Sequence, residues 1–500
     1  MTVLPPRSQP QPTPIKFSKS FEEFKLSNTT KALIHLSLLI TIEALSLLYA
    51  THCENLREFS ISLASTDRLV LYLSNSWNVN ELPSSLLNVK NLQSFHFPLN
   101  ECLVDLPENF ANYICLGCPR DREHDPSITL HKVFPSPAFT SLKHLCLDDD
   151  IPMLSEIPDN ISLLSSLETL TLSNLAITSL PETIKYLPRL YWLYVGDCGM
   201  LQSIPTLSLN LVNFTVYDCG SLETVLSSME EPDDKPNPCT VVLLNCKNLD
   251  PHSYRTVLKG AIVGIELGAN EKDDTIQYFL PVLPGIEYWF HYRSPQVSFT
   301  LELPPNLLGF AYYLVLSQGR VGVDDIRIGC ECYLDNISGE RIPITSSPSR
   351  AIFKLGWDYN PITIYMESDH VVLWYDPVSC KKIMEEIKAI NDVNNTGYNP
   401  KLTFRFFIDE NVCDEVVIQE CGFLWIYQEE MVSATIFESR DQEETVSPSD
   451  LQSNYQEEAV PPAEKLDETK DVRCLLEELL HIGFGGDHMK PLLFGEEKKE

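Results

Sequence analysis

Positive charge is scarce in this 500-residue chain: 37 Lys and Arg stand against 70 Asp and Glu, for a net charge of −33. A phosphate-binding surface needs clustered cations, so nucleic acid is excluded as a partner and no membrane surface is expected. Phosphate loops are lacking too. No G-x-x-x-x-G-K-[ST] occurs, which excludes nucleotide binding by that route. Neither G-x-S-x-G nor H-E-x-x-H is present, and scattered Cys and His do not define a catalytic triad. The carboxylate runs Asp148 to Asp150, Glu230 with Glu231 and Asp233 with Asp234 lie in loop-like, solvated stretches. Nothing there would raise a pKa for acid–base work. No catalytic residue, cofactor site or metal site is expected.

Cysteine pairing is weak. The fifteen cysteines are scattered and odd in number, and CLGC (Cys115, Cys118) is the only C-x-x-C. With no second pair at zinc-site spacing, buried thiols in a reducing compartment are the expected reading. That places the chain in the cytoplasm, with the nucleus as the alternative. Only one apolar run is long, Ala32 to Ala50, and it carries His35 and Glu43. Both are costly in a bilayer, so a core segment is expected rather than a membrane span.

What the chain does have is a repeat. An apolar-Pro dipeptide ends in Pro83, Pro107, Pro135, Pro158, Pro181 and Pro205, at spacings of 24, 28, 23, 23 and 24 residues. L-x-x-L-x-L cores accompany it at Leu142/Leu145/Leu147, Leu167/Leu170/Leu172, Leu190/Leu193/Val195 and Leu211/Phe214/Val216. Looser copies stand at Leu45/Leu48/Ala50 and Leu92/Phe95/Phe97, and Cys53, Cys198 and Cys219 each follow a core by three residues. This is a leucine-rich repeat. No copy can bury its leucines alone, so about eight stack into an arc.

The x positions of each core project from the concave sheet, the usual binding face. They include His144, Thr169, Tyr191, Trp192, Tyr194 and Asn213, with Tyr217 just beyond. Three aromatics from the single strand 191–194 are not explained by the repeat's own core. They are either an exposed interaction hot spot or packing against the domain after the repeats.

After Val225 the periodicity is read as stopping. Residues 229–278 are expected to be a connector holding a short strand and a short helix. Residues 279–430 break into short β-rich runs such as GFAYYLVLS, IRIGCECYL, HVVLWY and KLTFRFFI, which point to an antiparallel sandwich. His370, just before a strand, is expected to hydrogen-bond structurally rather than to ligate. From Glu429 onward 19 acidic residues face 7 basic ones, so residues 431–500 read as a solvated acidic tail. Within it Val472, Leu475, Leu476, Leu479 and Leu480 would line one face of an amphipathic helix near 471–482. Residues 1–30 are expected to be a Pro-rich, disordered N-terminus and residues 31–228 the repeats.

The block TLSNLAITSLPETIKYLPRLYWLYVGDCGMLQSIPTL resembles the leucine-rich repeats of plant intracellular immune receptors of the TIR nucleotide-binding class. LPGIEYWFHYRS, SFTLELPPNLLGFAYYLVL, SDHVVLWY and VVIQECGFLWIY are similar, in order and spacing, to the post-repeat β-sandwich of that family, the C-JID. The resemblance implies an α/β leucine-rich-repeat solenoid, then a C-JID-like antiparallel β-sandwich, then the acidic tail. It covers about residues 45–430. The chain departs from the family in two ways: no phosphate loop is present, and little sequence precedes the first repeat. The family's NAD-cleaving TIR activity therefore carries over to no residue here, and a non-enzyme is expected.

The function so implied is protein recognition in defense: binding a pathogen effector or a guarded host protein, with a complete TIR-class receptor as a second partner. His291 and Arg293 in LPGIEYWFHYRS are candidates for a sandwich rim. The alternative is a repeat adaptor that presents a host protein to other machinery through the tail helix.

Overall fold

Each L-x-x-L-x-L copy becomes a short parallel strand. In the computed structural model these are β1 (Leu92–Pro98), β2 (Ala111–Gly117), β3 (His144–Asp148), β4 (Thr169–Ser173), β5 (Trp192–Gly196), β6 (Asn213–Tyr217) and β7 (Thr240–Leu244). The structure describes most of residues 69–427 and several short strands ahead of them. The segments 74–86, 118–124, 149–153, 226–238, 272–274, 336–340, 355–362, 395–399 and 409–414, some single residues, and 428–500 lie outside the described residues. The marker at Pro83, Cys118 and the tail helix near 471–482 therefore lie outside them as well. Of the Pro-rich N-terminus, expected to be disordered, the described parts are the strands Ile15–Lys16 and Glu23–Leu26, which pair parallel with His35–Ile40 and Leu47–Ala50.

Register aligns the repeats without slippage. Leu145, Leu170, Leu193, Phe214 and Val241 occupy one row, and all are buried. The marker prolines open the convex returns. Pro158 and Pro181 precede 3₁₀ turns at Asp159–Leu163 and Glu182–Tyr186, with φ of −70° and −68°. Proline's fixed φ suits a helix start, where its missing N–H costs nothing. The 28-residue repeat has room for more, and there helix α1 (Pro126–Val133) forms, capped by Asp125, which accepts from the Ser127 N–H.

The chain leaves successive strands through a left-handed residue. Asn174, Asp197, Asp218 and Asn245 have φ of 54°, 53°, 50° and 56°, a region that Asn and Asp tolerate better than other side chains. Cys198, Cys219 and Cys246 come directly after three of them, each thiol donating to the carbonyl two residues back, of Gly196, Tyr217 and Leu244. Leu201, Leu222 and Leu249 are buried three residues further on.

The third member of that set corrects the expectation that periodicity stops at Val225. β7 pairs parallel with β6, and Asn245, Cys246 and Leu249 repeat the turn of the two preceding copies. An insertion hides this copy: Asp197 and Asp218 are 21 residues apart, Asp218 and Asn245 are 27. The helix after it is not short either. Helix α2 (Pro251–Glu271) runs 21 residues, starting where Asp250 accepts from the N–H groups of His252 and Ser253. It buries Tyr254, Val257, Leu258, Ala261, Ile262 and Ile265, an i, i+3, i+4 stripe.

The main strands that follow are β8 (Ile276–Pro281), β9 (Tyr292–Ser294), β10 (Ser298–Glu302), β11 (Leu307–Leu316), β12 (Asp325–Asp335), β13 (Ser349–Lys354), β14 (His370–Tyr375), β15 (Lys401–Ile408) and β16 (Ile418–Tyr427). β8 pairs parallel with β7 and antiparallel with β14. The repeat sheet thereby continues through β14, β11, β16 and β9 as one mixed, fifteen-stranded sheet. A second sheet, β10-β15-β12 with β13 beside β12, packs on its face. Phe353 meets Phe279, Phe406 meets Trp374 and Phe404 meets Phe423, at centroid distances of 5.3, 6.1 and 4.6 Å. The Trp374 indole also donates to Ser349 Oγ at 3.1 Å.

Helices take the opposite face. In α3 (Pro377–Asn394) the Cys380 thiol sits where Gly309 has no Cβ, and α2 lies on β8. Among the described residues no helix is long and apolar enough to cross a membrane. The apolar run Ala32–Ala50 contains the strands His35–Ile40 and Leu47–Ala50.

Candidate functional site

Strand register decides which repeat side chains share the concave face. His144, Thr169, Trp192, Asn213 and Thr240 form one row, continued by Gln277 of β8. The next row holds Cys115, Cys146, Thr171, Tyr194, Thr215 and Val242, continued by Phe279. Phe279 is already covered by the second sheet, through Phe353. The second sheet therefore stands as a wall where the open concave face ends. At its foot the Ile352 N–H donates to Gln277 Oε1, whose amide donates to Thr240 Oγ1.

The expected trio of outward aromatics is corrected. Tyr191 is 37% exposed and Trp192 half-buried, but Tyr194 is only 2% exposed and Tyr217 only 1%. Parallel strands stand about 4.8 Å apart, so a large concave side chain is covered by its neighbours. Tyr194 and Tyr217 pack on each other at 5.2 Å. Tyr217 lies across Gly196, where a Cβ would come within 1.7 Å of its ring, and donates to Asp197 Oδ2 at 2.5 Å. Burial pushes both phenol pKa values up. Thr169 is likewise buried, between His144 and Trp192. His144 and Asn213 are half-buried, and burial lowers the His144 pKa.

What stays outward is the edge where the strands begin. Tyr191 and Val212, on neighbouring strands, are 37% and 42% exposed, and the Val212 N–H donates to the Tyr191 carbonyl. Glu168, the equivalent position one repeat earlier, pairs with Lys143 at 3.2 Å. The patch is thus apolar, with Trp192 beside it and an ion pair on its flank.

No family model matches the chain. Curated relatives do. The chain is 25% identical over 449 residues, 82% of its length, to the disease resistance-like protein DSC1 of Arabidopsis thaliana. Disease resistance protein RPS4 is 24% identical over 62% of the chain, and RPS4B 25% over 80%, both from the same plant. The chain is similar to plant disease resistance proteins of the TIR class. It spans about a third or less of the length of these relatives: 33%, 26% and 34%.

His291 and Arg293 are engaged within the β-rich half. His291 Nδ1 accepts from the Trp425 N–H at 3.1 Å, and burial lowers its pKa. The Arg293 guanidinium forms a two-pronged pair with Glu420, which also accepts from the Tyr313 hydroxyl. Among the described residues no group of three or more His, Cys, Asp or Glu is arranged to hold a metal ion.

Two further features were not expected from the sequence. At the start of the described concave face His96 stacks between Tyr72 and Tyr113, at 4.0 and 5.5 Å, and bonds Ser94 Oγ. Nothing in the loose copy around residue 92 marked that stack. The other is Asn245, which ties the last repeat to the loop before β14. Its signal was present: D/N-C-x-x-L recurs at Asp197, Asp218 and Asn245.

Proposed function

We propose that this chain is the protein-recognition part of a plant intracellular immune receptor. Its ligand is a pathogen effector or a guarded host protein, held on the concave repeat face against the wall of the second sheet. The observation that carries this reading is the patch of Tyr191, Trp192 and Val212. An outward Tyr and Val, beside a Trp that packs half-buried against the core, serve no purpose in that core themselves, and Tyr and Trp are enriched at protein interfaces. Similarity to disease resistance proteins supports a role in defense.

On this reading the β-rich half is the family's C-JID, and recognition takes place in the cytoplasm. The chain recognises rather than catalyses. A complete TIR-class receptor is the partner through which binding would reach signalling.

The test is a binding screen of the full chain against a library of pathogen effectors and host proteins. It is repeated with Tyr191→Ala/Val212→Ser, two exposed positions whose change leaves the core intact. Loss of one defined partner, with an unchanged melting temperature, is the expected result. Retention of every partner by the folded variant would move the recognition surface elsewhere.

A further inference from the structure

Three polar side chains of the concave face, away from the recognition patch, form a cluster of their own. Cys115 of β2 and Cys146 of β3 are register partners on neighbouring parallel strands, and neither is in a disulfide. Their side chains hydrogen-bond to each other, and the Tyr113 side chain hydrogen-bonds to both. Cys115 is half-buried and Cys146 buried. Neighbouring strands place paired Cα atoms about 4.8 Å apart, inside the roughly 4.4–6.8 Å that a disulfide spans.

We propose that Cys115 and Cys146 are a redox modification site, converted by a peroxide into a cross-strand disulfide. One thiol sulfur attacks a peroxide oxygen, the O–O bond breaks, and water leaves with formation of a sulfenic acid. The second sulfur then attacks the first, the S–O bond breaks, and a second water leaves as the S–S bond forms. Two thiols lose two electrons and two protons, and one hydrogen peroxide is reduced to two waters. The Tyr113 hydroxyl, in contact with both sulfurs, is placed to protonate the departing oxygen and recover its proton from the attacking thiol.

Strand register partners Cys115 with Cys146. The hydrogen bond that the Cys115 thiol donates to Cys146 and burial both push the Cys115 pKa up. The thiolate is the reactive form, so oxidation needs sustained oxidant and quickens as pH rises.

The experiment treats the full chain with hydrogen peroxide at mildly alkaline pH and blocks remaining thiols with N-ethylmaleimide. Unreduced digests are then mapped by mass spectrometry. The expected product joins the Cys115 and Cys146 peptides, lighter by two hydrogens than the reduced pair and released by a phosphine reductant. Cys146→Ser should abolish the cross-link, leaving Cys115 as a sulfenic acid or alkylated. Cys115→Ser, at the more accessible position, should do the same with an unchanged melting temperature. Full alkylation of both cysteines in treated wild-type protein would overturn the proposal. So would a cross-link of Cys115 to Cys118 in place of Cys146.

Discussion

The backbone N–H of Asn245, in the turn after the last repeat strand, donates across 3.2 Å to Nε2 of His370, which is 125 residues away. The opposite ring nitrogen lies 2.8 Å from the Ser368 carbonyl, so Nδ1 carries the proton and Nε2 is the acceptor. The Asn245 side chain completes the joint. Its amide donates to Asp218 Oδ1 and the Tyr365 carbonyl, and its Oδ1 accepts from the Glu367 N–H. The repeat ladder and the loop that leads into β14 therefore meet through a single asparagine, flanked by the Lys247–Glu367 ion pair at 2.5 Å.

Asn245→Ala removes three side-chain hydrogen bonds and puts an ill-suited residue at φ 56°. The expected cost is about 2–4 kcal/mol, read by urea denaturation. Asn245→Gly keeps the left-handed turn but not the bonds, and should recover only a minor part. A cost below 1 kcal/mol, roughly that of one hydrogen bond, would show that the joint is not rigid.

Acidification should loosen the protein through two buried histidines. Burial lowers His370 and His96 to about 4, below the ordinary value near 6.5. Because the folded pKa lies below the unfolded one, the contribution is full above about 6.5 and is lost as pH falls toward 4. For His370 it amounts to something on the order of 3 kcal/mol. Urea midpoints between neutral and acid pH should fall accordingly, and His370→Gln should flatten the slope. An unchanged slope in that variant would assign the fall to carboxylates instead.

Gly196→Ala should be destabilising by about 2–4 kcal/mol, because its Cβ would occupy the Tyr217 ring. Tyr217→Ala in the same chain removes the clash, so the double variant should be more stable than additivity allows. Gly422→Ala offers a contrast. There the obstacle is the Tyr292 carbonyl at 1.8 Å, which is backbone. No side-chain truncation should rescue that variant, and amide exchange in β9 should accelerate.

Arg293→Met should cost only about 1 kcal/mol, since the pair with Glu420 is partly solvated. Glu420 is held below the usual carboxylate range by that guanidinium, so its contribution is present at neutral pH and lost on acidification. Added salt should shrink the difference between wild type and variant. A salt-independent loss would point to packing of the arginine stem rather than charge.

Repeat spacing was legible because every copy solves the same local problem. Leucines must face inward at fixed intervals, and a proline must start each return, so Leu145, Leu170 and Leu193 announced their row before any coordinates. The last repeat strand, Thr240–Leu244, was not legible, because extra residues between Asp218 and Asn245 broke the spacing while leaving Asn245-Cys246 in place. The concave aromatics were only half legible. Position in the motif placed Tyr191, Trp192 and Tyr194 outside the leucine core, but it carried no information on what the next strand would lay over them.

Sequence alone was enough for the repeat architecture, the absence of the searched catalytic motifs and the resemblance to immune receptors, since these rest on local spacing and residue type. Folding assigned the rest. Tyr217 is buried because Gly196 lies on the adjacent strand, and the open face ends at β8 because a second sheet, built from residues 298–408, packs there. Burial of a side chain is set by neighbours distant in the chain, and no local pattern records them.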